Sequence, residues 1–259
     1  APMRVNALTS AMKEAGDLGD KVYAMNQNYS WGQDMQNAIA AAAEPNGYTV
    51  VDTVLHDVNK IQDFAPFIVR IKSAEPDTVI TGNWSNDLLL LMKAAGDAGL
   101  DVRFGTAYLD QPGNIANAGK TALGHYIANN YANSAGSPEF PEDYKAVMGH
   151  YPTFVEPQAA FAMLTLQSAF EGLDFEGGDI NMEQVALALE GTVYETPIGA
   201  ISVRPEDHQT LRPIVVSKVV EDAKYPSDDT NMGFEAVKVV APQDAIYPVQ
   251  DNCSMDRPD

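Results

Sequence analysis

Apolar and polar positions alternate along this chain with two spacings, one helical and one extended. Met3, Val5, Leu8, Met12 and Ala15 recur at three- and four-residue steps and predict an amphipathic helix that begins at once, as though cut from a longer chain. KVYAMN (21–26) predicts a strand, QNYSWGQD (27–34) a polar loop, and the Ala-rich stretch after it a helix to about Glu44, stopped by Pro45-Asn46-Gly47. Strands are expected at 48–56, 77–82, 102–109 and 125–131, with helices at 63–74 and 88–100 and the loop Asn83-Trp84-Ser85-Asn86 between strand and helix. Strands and helices alternating at this spacing predict a parallel sheet covered by helices on both faces over about 17–131.

The pattern changes after Tyr131. NSAGSPEFPED (133–143) is a Ser/Gly/Pro-rich connector, followed by helices at about 140–150 and 157–173, the second with Phe161, Leu164, Leu166, Ala169 and Phe170. A third helix is expected at 181–191, with Gly191 at its C-cap. Strands follow at 199–203, 213–221 and 235–242, before a polar tail at 249–259. This second region is helix-rich and has too few strands for a doubly wound sheet of its own, so something else must complete it. No internal repeat is evident.

Composition narrows the function classes. Sixteen basic residues against 36 acidic ones give a net charge of −20, a field that repels phosphate backbones and argues against a nucleic-acid partner. Such a charge suits solubility at high salt. The 45% apolar content excludes wholesale disorder, and the longest apolar run, Leu88 to Met92, is far shorter than the roughly 18 residues of a membrane span. A single cysteine, Cys253, excludes a disulfide scaffold; it is expected either free in a polar tail or paired with a cysteine in a missing segment. Residues 1–20 carry no signal peptide, which read plainly means cytoplasmic, or else that the true N-terminus is missing.

Catalytic motifs are weak. GNIANAGKT (113–121) has five residues between its glycines where a P-loop needs four, so a helix ending in a Gly-Lys turn is expected there. His56, His125, His150 and His208 lack metal-ligand spacing, Cys253 lacks a neighbouring base, and no metal or cofactor is expected. RPEDHQ (204–209) reads as a turn with a satisfied His208. The aromatics are more informative, because ligands of open α/β sheets bind outside the carboxyl ends of the strands. Trp31, Trp84 and Tyr108 all lie there, flanked by Tyr29 and Ser30, by Asn83 and Ser85, and by Asp110 and Gln111. Aromatics with a few converging polar groups form small-molecule clefts. Glu156, before Pro157 at a helix start, either complements the helix dipole or faces the same cleft.

Trp31-Gly32-Gln33, the long stretch 63–100 and VRPEDHQTLRPIVVSKVV (203–220) resemble the substrate-binding proteins of branched-chain amino acid ABC transporters, the family of the Leu/Ile/Val-binding protein with its type I periplasmic binding fold. The resemblance covers nearly all of the chain but only the later part of such a protein. It implies an α/β architecture with a doubly wound parallel sheet in lobe 2 (1–135), a returning part of lobe 1 (136–212), and crossover strands with a C-terminal tail (213–259). It also implies hinge strands near 132–137 and 204–212, and a missing first part of lobe 1 supplied by the same or a separate chain. In that family an amino-acid ligand sits between the lobes and lobe 2 aromatics close over it; the matching positions are Trp31 and Trp84. The acid that pairs with the ligand ammonium aligns with Tyr108, and Asp110 follows two residues on. Asp110 or Glu156 then takes that role, or the ligand is an aromatic or other apolar carboxylate without an ammonium, since an unpaired buried ammonium is costly. The resemblance implies a periplasmic solute receptor without catalysis, partnered by a membrane permease. A sensing module of the same fold and a transferase using the 113–121 loop are the alternatives.

Overall fold

Alternation along the central strands sorts side chains onto two faces. In the computed structural model, which describes residues 1–174, 178–251 and 253–255, β1 (Lys21–Gln27) sends Val22 and Ala24 to one face and Tyr23 and Met25 to the other. β2 (Thr49–His56), β3 (Thr78–Thr81), β4 (Arg103–Thr106) and β5 (Tyr126–Asn129) continue the sheet, all in parallel. The first face packs on α1 (Pro2–Glu14) and α2 (Ser30–Ala41) through Leu8, Met12, Met35 and Ile39. Following the short α3 (Ala43–Asn46), α4 (Ala65–Ala74) and α5 (Ser85–Asp97) cover the opposite face through Ile68, Ile71, Leu88 and Leu91. Helices on both sides of parallel strands make this a doubly wound α/β sheet.

α6 (Asn114–Ala118) runs into a 3₁₀ turn at Gly119–Ala122, the short helix and Gly-Lys turn expected of GNIANAGKT. The later region supplies α7 (Glu139–Met148), α8 (Val155–Phe170) and α9 (Met182–Leu189). It also holds a small antiparallel sheet of β6 (Val193–Thr196), β7 (Gly199–Val203) and β8 (Thr210–Leu211). Its core joins Tyr131, Phe161, Ile198 and Ile201. The chain then returns: β9 (Ile214–Val220) pairs antiparallel with β5, and β10 (Gly233–Val240) with β9, before α10 (Pro242–Ala245). The large sheet thus has the order β10-β9-β5-β4-β3-β1-β2.

Two expectations change. β6 and β8 lie where no strand was expected, because Val193–Thr196 carries little apolar pattern and is held by pairing with β7. α2 starts at Ser30, inside the expected loop 27–34. Residues 252 and 256–259 of the expected tail lie outside the described residues, and Cys253 is exposed.

Candidate ligand-binding site

The early start of α2 sets the position of Trp31. A Cβ on Gly32 would lie 1.8 Å from the Gln27 carbonyl oxygen, so glycine lets the first turn of α2 sit directly on the end of β1. Trp31 therefore projects from a helix rather than from a loop. Its indole Nε1 donates to the Gly82 carbonyl at 2.9 Å, and the Gly82 amide donates to Asn26 Oδ1 at 2.7 Å. A Cβ on Gly82 would meet Met35 at 2.6 Å and Trp31 Nε1 at 3.0 Å, so glycine there also admits the ring.

The other aromatics converge on this point. Trp84 is the N-cap residue of α5, in extended conformation, and its Nε1 donates to the Tyr29 hydroxyl at 2.9 Å. Tyr108 packs edge-on against Trp31 with ring centroids 5.5 Å apart. Burial raises the Tyr29 phenol above its ordinary value, and the Trp84 hydrogen bond partly offsets this. Four aromatic side chains from the ends of β1, β3 and β4 thus form one half-buried cluster.

A guanidinium that the sequence reading missed completes it. Arg4 places its Cζ 5.4 Å from the Tyr108 ring and 5.9 Å from the Trp31 ring, while its Nη1 donates to the Ala107 carbonyl at 3.3 Å. Its signal was a basic residue set between Met3 and Val5 on an apolar helix. Burial lowers the Arg4 pKa, and the nearby Asp110 and Tyr108 oppose that shift. Arg212 is lowered to about 10 by burial and by repulsion from Arg4. Asp110 accepts hydrogen bonds from Asn129 Nδ2 at 3.0 and 3.2 Å. Burial pushes its carboxyl up to about 7, Arg4 and Asn129 hold it down, and Glu156 adds a little to the rise.

The remaining residues expected at the site are placed differently. Asn83 is fully buried, and its side chain turns inward to His56 Nε2, 2.9 Å from Nδ2 and 3.1 Å from Oδ1. Ser85 has a left-handed backbone, φ 55°, and contributes its amide, which donates to Gln111 Oε1 at 3.0 Å. Glu156 serves the start of α8: its Oε2 accepts from the Thr153 amide at 2.9 Å and from the Thr153 hydroxyl at 2.6 Å. It also lines a cavity that reaches Asp110.

The amides that open α6 already have an anion. Gly113, Ile115 and Ala116 donate to the Asp228 carboxylate at 2.8, 2.9 and 3.3 Å. His208 pairs with Glu190 at 2.7 Å. Among the described residues no group of three His, Cys, Asp or Glu could hold a metal, and no helix is long and apolar enough to cross a membrane.

The aromatic cluster thus lies beyond the carboxyl ends of the parallel strands β1, β3 and β4, where ligands of open α/β sheets bind. Residues 1–224 match the sequence profile of the family described as periplasmic binding protein. The chain belongs to the periplasmic binding protein family. It is 48% identical, over 261 aligned residues, to Leu/Ile/Val-binding protein homolog 4 of Brucella abortus (strain 2308), a match that covers all of this chain and 63% of that protein. The chain thus spans less than two thirds of the length of these curated relatives. Leu/Ile/Val-binding protein homolog 6 of Brucella suis is 27% identical over 215 residues, 79% of this chain and 55% of that one. Among solved structures, the leucine-, isoleucine-, valine-, threonine- and alanine-binding protein of Brucella ovis, in closed conformation, is 47% identical with a TM-score of 0.95, covering 99% of this chain and 67% of that one. A solute-binding protein of Rhodopseudomonas palustris BisB5, complexed with 3,4-dihydroxybenzoic acid, shares the fold at 22% identity and a TM-score of 0.74, over 93% of this chain and 65% of that one.

Proposed function

We propose that this periplasmic binding protein is the solute receptor of an ABC importer, located in the periplasm, that captures a small amino acid without chemistry and delivers it to a membrane permease. The observation that carries this is the convergence of Trp31, Trp84, Tyr108 and Tyr29 beside the raised Asp110 carboxyl. The rings pack the ligand side chain, and Asp110 ionises to take its ammonium. The Brucella ovis protein, named as binding five aliphatic and hydroxyl amino acids, supports that ligand class. Residues 1–135 with the returning β9 and β10 form one lobe in this reading, and 136–212 part of the other. A further segment, in the same or a separate chain, covers the apolar groove of about 320 Å³ between α8, α9 and the small sheet. Ligand favours the closed arrangement only as far as it binds that arrangement more tightly.

One observation favours a second ligand class. The Arg4 guanidinium lies against Trp31 and Tyr108, which suits an aromatic carboxylate lacking an ammonium. Isothermal titration with leucine, isoleucine, valine and benzoate separates the two. Binding of the amino acids that is lost in Asp110→Asn supports the first; benzoate binding that is indifferent to Asp110→Asn supports the second. Absence of heat with all four ligands overturns both.

A further inference from the structure

Behind Asp110 lies an open cavity of about 480 Å³, bounded by the end of β5, the 149–154 loop and the loop joining β9 to β10. That is within the range of small-molecule sites and far above the roughly 30 Å³ share of a single water. Trp31, Trp84, Tyr29 and Tyr108 do not line it. Phe154 and Asp110 form the partition, and the Tyr108 ring lies 6.2 Å from Phe154 on the other side. The cavity is thus a neighbour of the aromatic cluster rather than part of it.

Two of its buried polar atoms, the Tyr131 hydroxyl and Asn133 Oδ1, lack a hydrogen-bond partner among the described residues. Tyr131 lines the cavity, is 4% exposed, and its hydroxyl meets no hydrogen-bond partner among the described residues. The Tyr131 phenol is raised by burial and by the nearby Tyr225, which lines the same space. Asn133 donates through Nδ2 to the Pro152 carbonyl at 2.9 Å, which fixes its amide orientation and leaves a buried Oδ1 without a donor. A buried polar atom left unpaired destabilises the fold, so a ligand that pairs with it gains that much in binding. Asn133 Oδ1 can only accept, so whatever satisfies it must donate.

The walls are aromatic and carry more acidic than basic side chains. Tyr151 and Tyr225 meet edge to face, 5.1 Å apart, and each already carries a lysine ammonium over its ring, Lys145 at 4.1 Å and Lys224 at 4.8 Å. Four carboxylates line the cavity (Asp110, Glu156, Asp228 and Asp229) against one lysine, Lys145. We propose that this cavity is a second small-molecule site, taking an organic ammonium on an aromatic or alicyclic body, with the Tyr131 hydroxyl and Asn133 Oδ1 as its hydrogen-bond anchors. A ligand there would touch both the end of β5 and the loop leading into α8.

The test is calorimetry on the full 259-residue chain with 2-phenylethylamine, against its neutral analogue 2-phenylethanol. The amine is expected to bind saturably and at least roughly tenfold tighter than the alcohol, the change a desolvated cation–π contact gives. Tyr131→Phe is expected to weaken the amine about three- to tenfold. In the absence of amine the same variant should melt no lower than wild type, because it removes a buried hydroxyl that has no partner. Should Tyr131→Phe fail to fold, Tyr151→Ala at the cavity wall is read in its place. Trp84→Ala, a lesion of the aromatic cluster, should leave the amine isotherm as in wild type. The proposal is overturned by no saturable binding at millimolar amine, by equal binding of amine and alcohol, or by amine binding that is lost in Trp84→Ala and kept in Tyr131→Phe.

Discussion

Trp84 and Tyr29, 55 residues apart in sequence, are joined by an indole-to-phenol hydrogen bond of 2.9 Å. It ties the start of α5 to the turn before α2, so the two walls of the aromatic cluster hold one another in place. Tyr29→Phe keeps the ring and removes the acceptor. The expected result is a loss of leucine affinity of roughly three- to tenfold with little loss of stability, since the site is half-buried and water can replace the bond. Titration calorimetry beside chemical denaturation checks this; unchanged affinity would remove the bond from the site.

Asp110 sets the expected pH dependence. Its carboxyl, pushed up to about 7 by burial, is largely protonated in the free protein at pH 6. An ammonium ligand needs the ionised form, so affinity should rise with pH up to about 7 and level off above it, falling by up to about tenfold per unit below. For folding the sign is opposite to that of a salt-bridged acid. A raised carboxylate pKa is a penalty absent at low pH that grows as pH rises from the ordinary carboxylate range towards 7, so this group alone makes the protein less stable at neutral pH. Asp110→Asn should flatten both profiles. An affinity independent of pH between 5 and 8 would mean that the ligand carries no ammonium at this acid.

The main sheet was legible because its strands announce themselves. Tyr23, Met25, Val79 and Phe104 are buried on one face of short apolar runs, with turn residues between the elements. Trp31, Trp84 and Tyr108 stood out in the sequence as aromatics beyond the strand ends, and the structure brings them into one cluster in which Trp31 and Tyr108 also pack against the two faces of the sheet. What stayed hidden depends on partners far away in sequence. The start of α2 looks like a loop because Ser30, Gly32 and Gln33 are polar or small, and only the approach of Gly32 to Gln27 shows otherwise. Asn83 looks like a cleft residue until His56, 27 residues away, claims its amide. Arg4 gains its meaning from Ala107 and Tyr108, more than 100 residues on.

Gly32→Ala tests whether that close approach matters. Its new Cβ would sit 1.8 Å from the backbone oxygen of Gln27, which has no flexible end to move aside, so the first turn of α2 must shift. The expected cost is about 1–3 kcal/mol of stability, in the range of overpacked sites. Trp31 moves with the turn and should lose its bond to Gly82, shifting tryptophan fluorescence and weakening leucine binding together. Wild-type stability in Gly32→Ala would contradict the placement of α2.

Asp228 tests the reading of the 113–121 loop. Its two carboxylate oxygens accept from three amides at the start of α6, across 112 to 115 residues of sequence, and so fasten the β9–β10 loop to that turn. Hydrogen bonds to a charged acceptor contribute about 1.5–3 kcal/mol each, but α6 is short and partly exposed, so Asp228→Ala should cost a total of about 2–3 kcal/mol in urea denaturation. Asp228→Asn retains an acceptor oxygen without the charge and should cost about half of that. Removing the carboxylate also frees the amides. If they are a phosphate nest blocked by Asp228, Asp228→Ala should bind inorganic phosphate where wild type does not. The five-residue spacing between Gly113 and Gly119 predicts instead that both proteins ignore phosphate. Phosphate binding by Asp228→Ala at millimolar concentration would reopen the case for nucleotide chemistry on this loop.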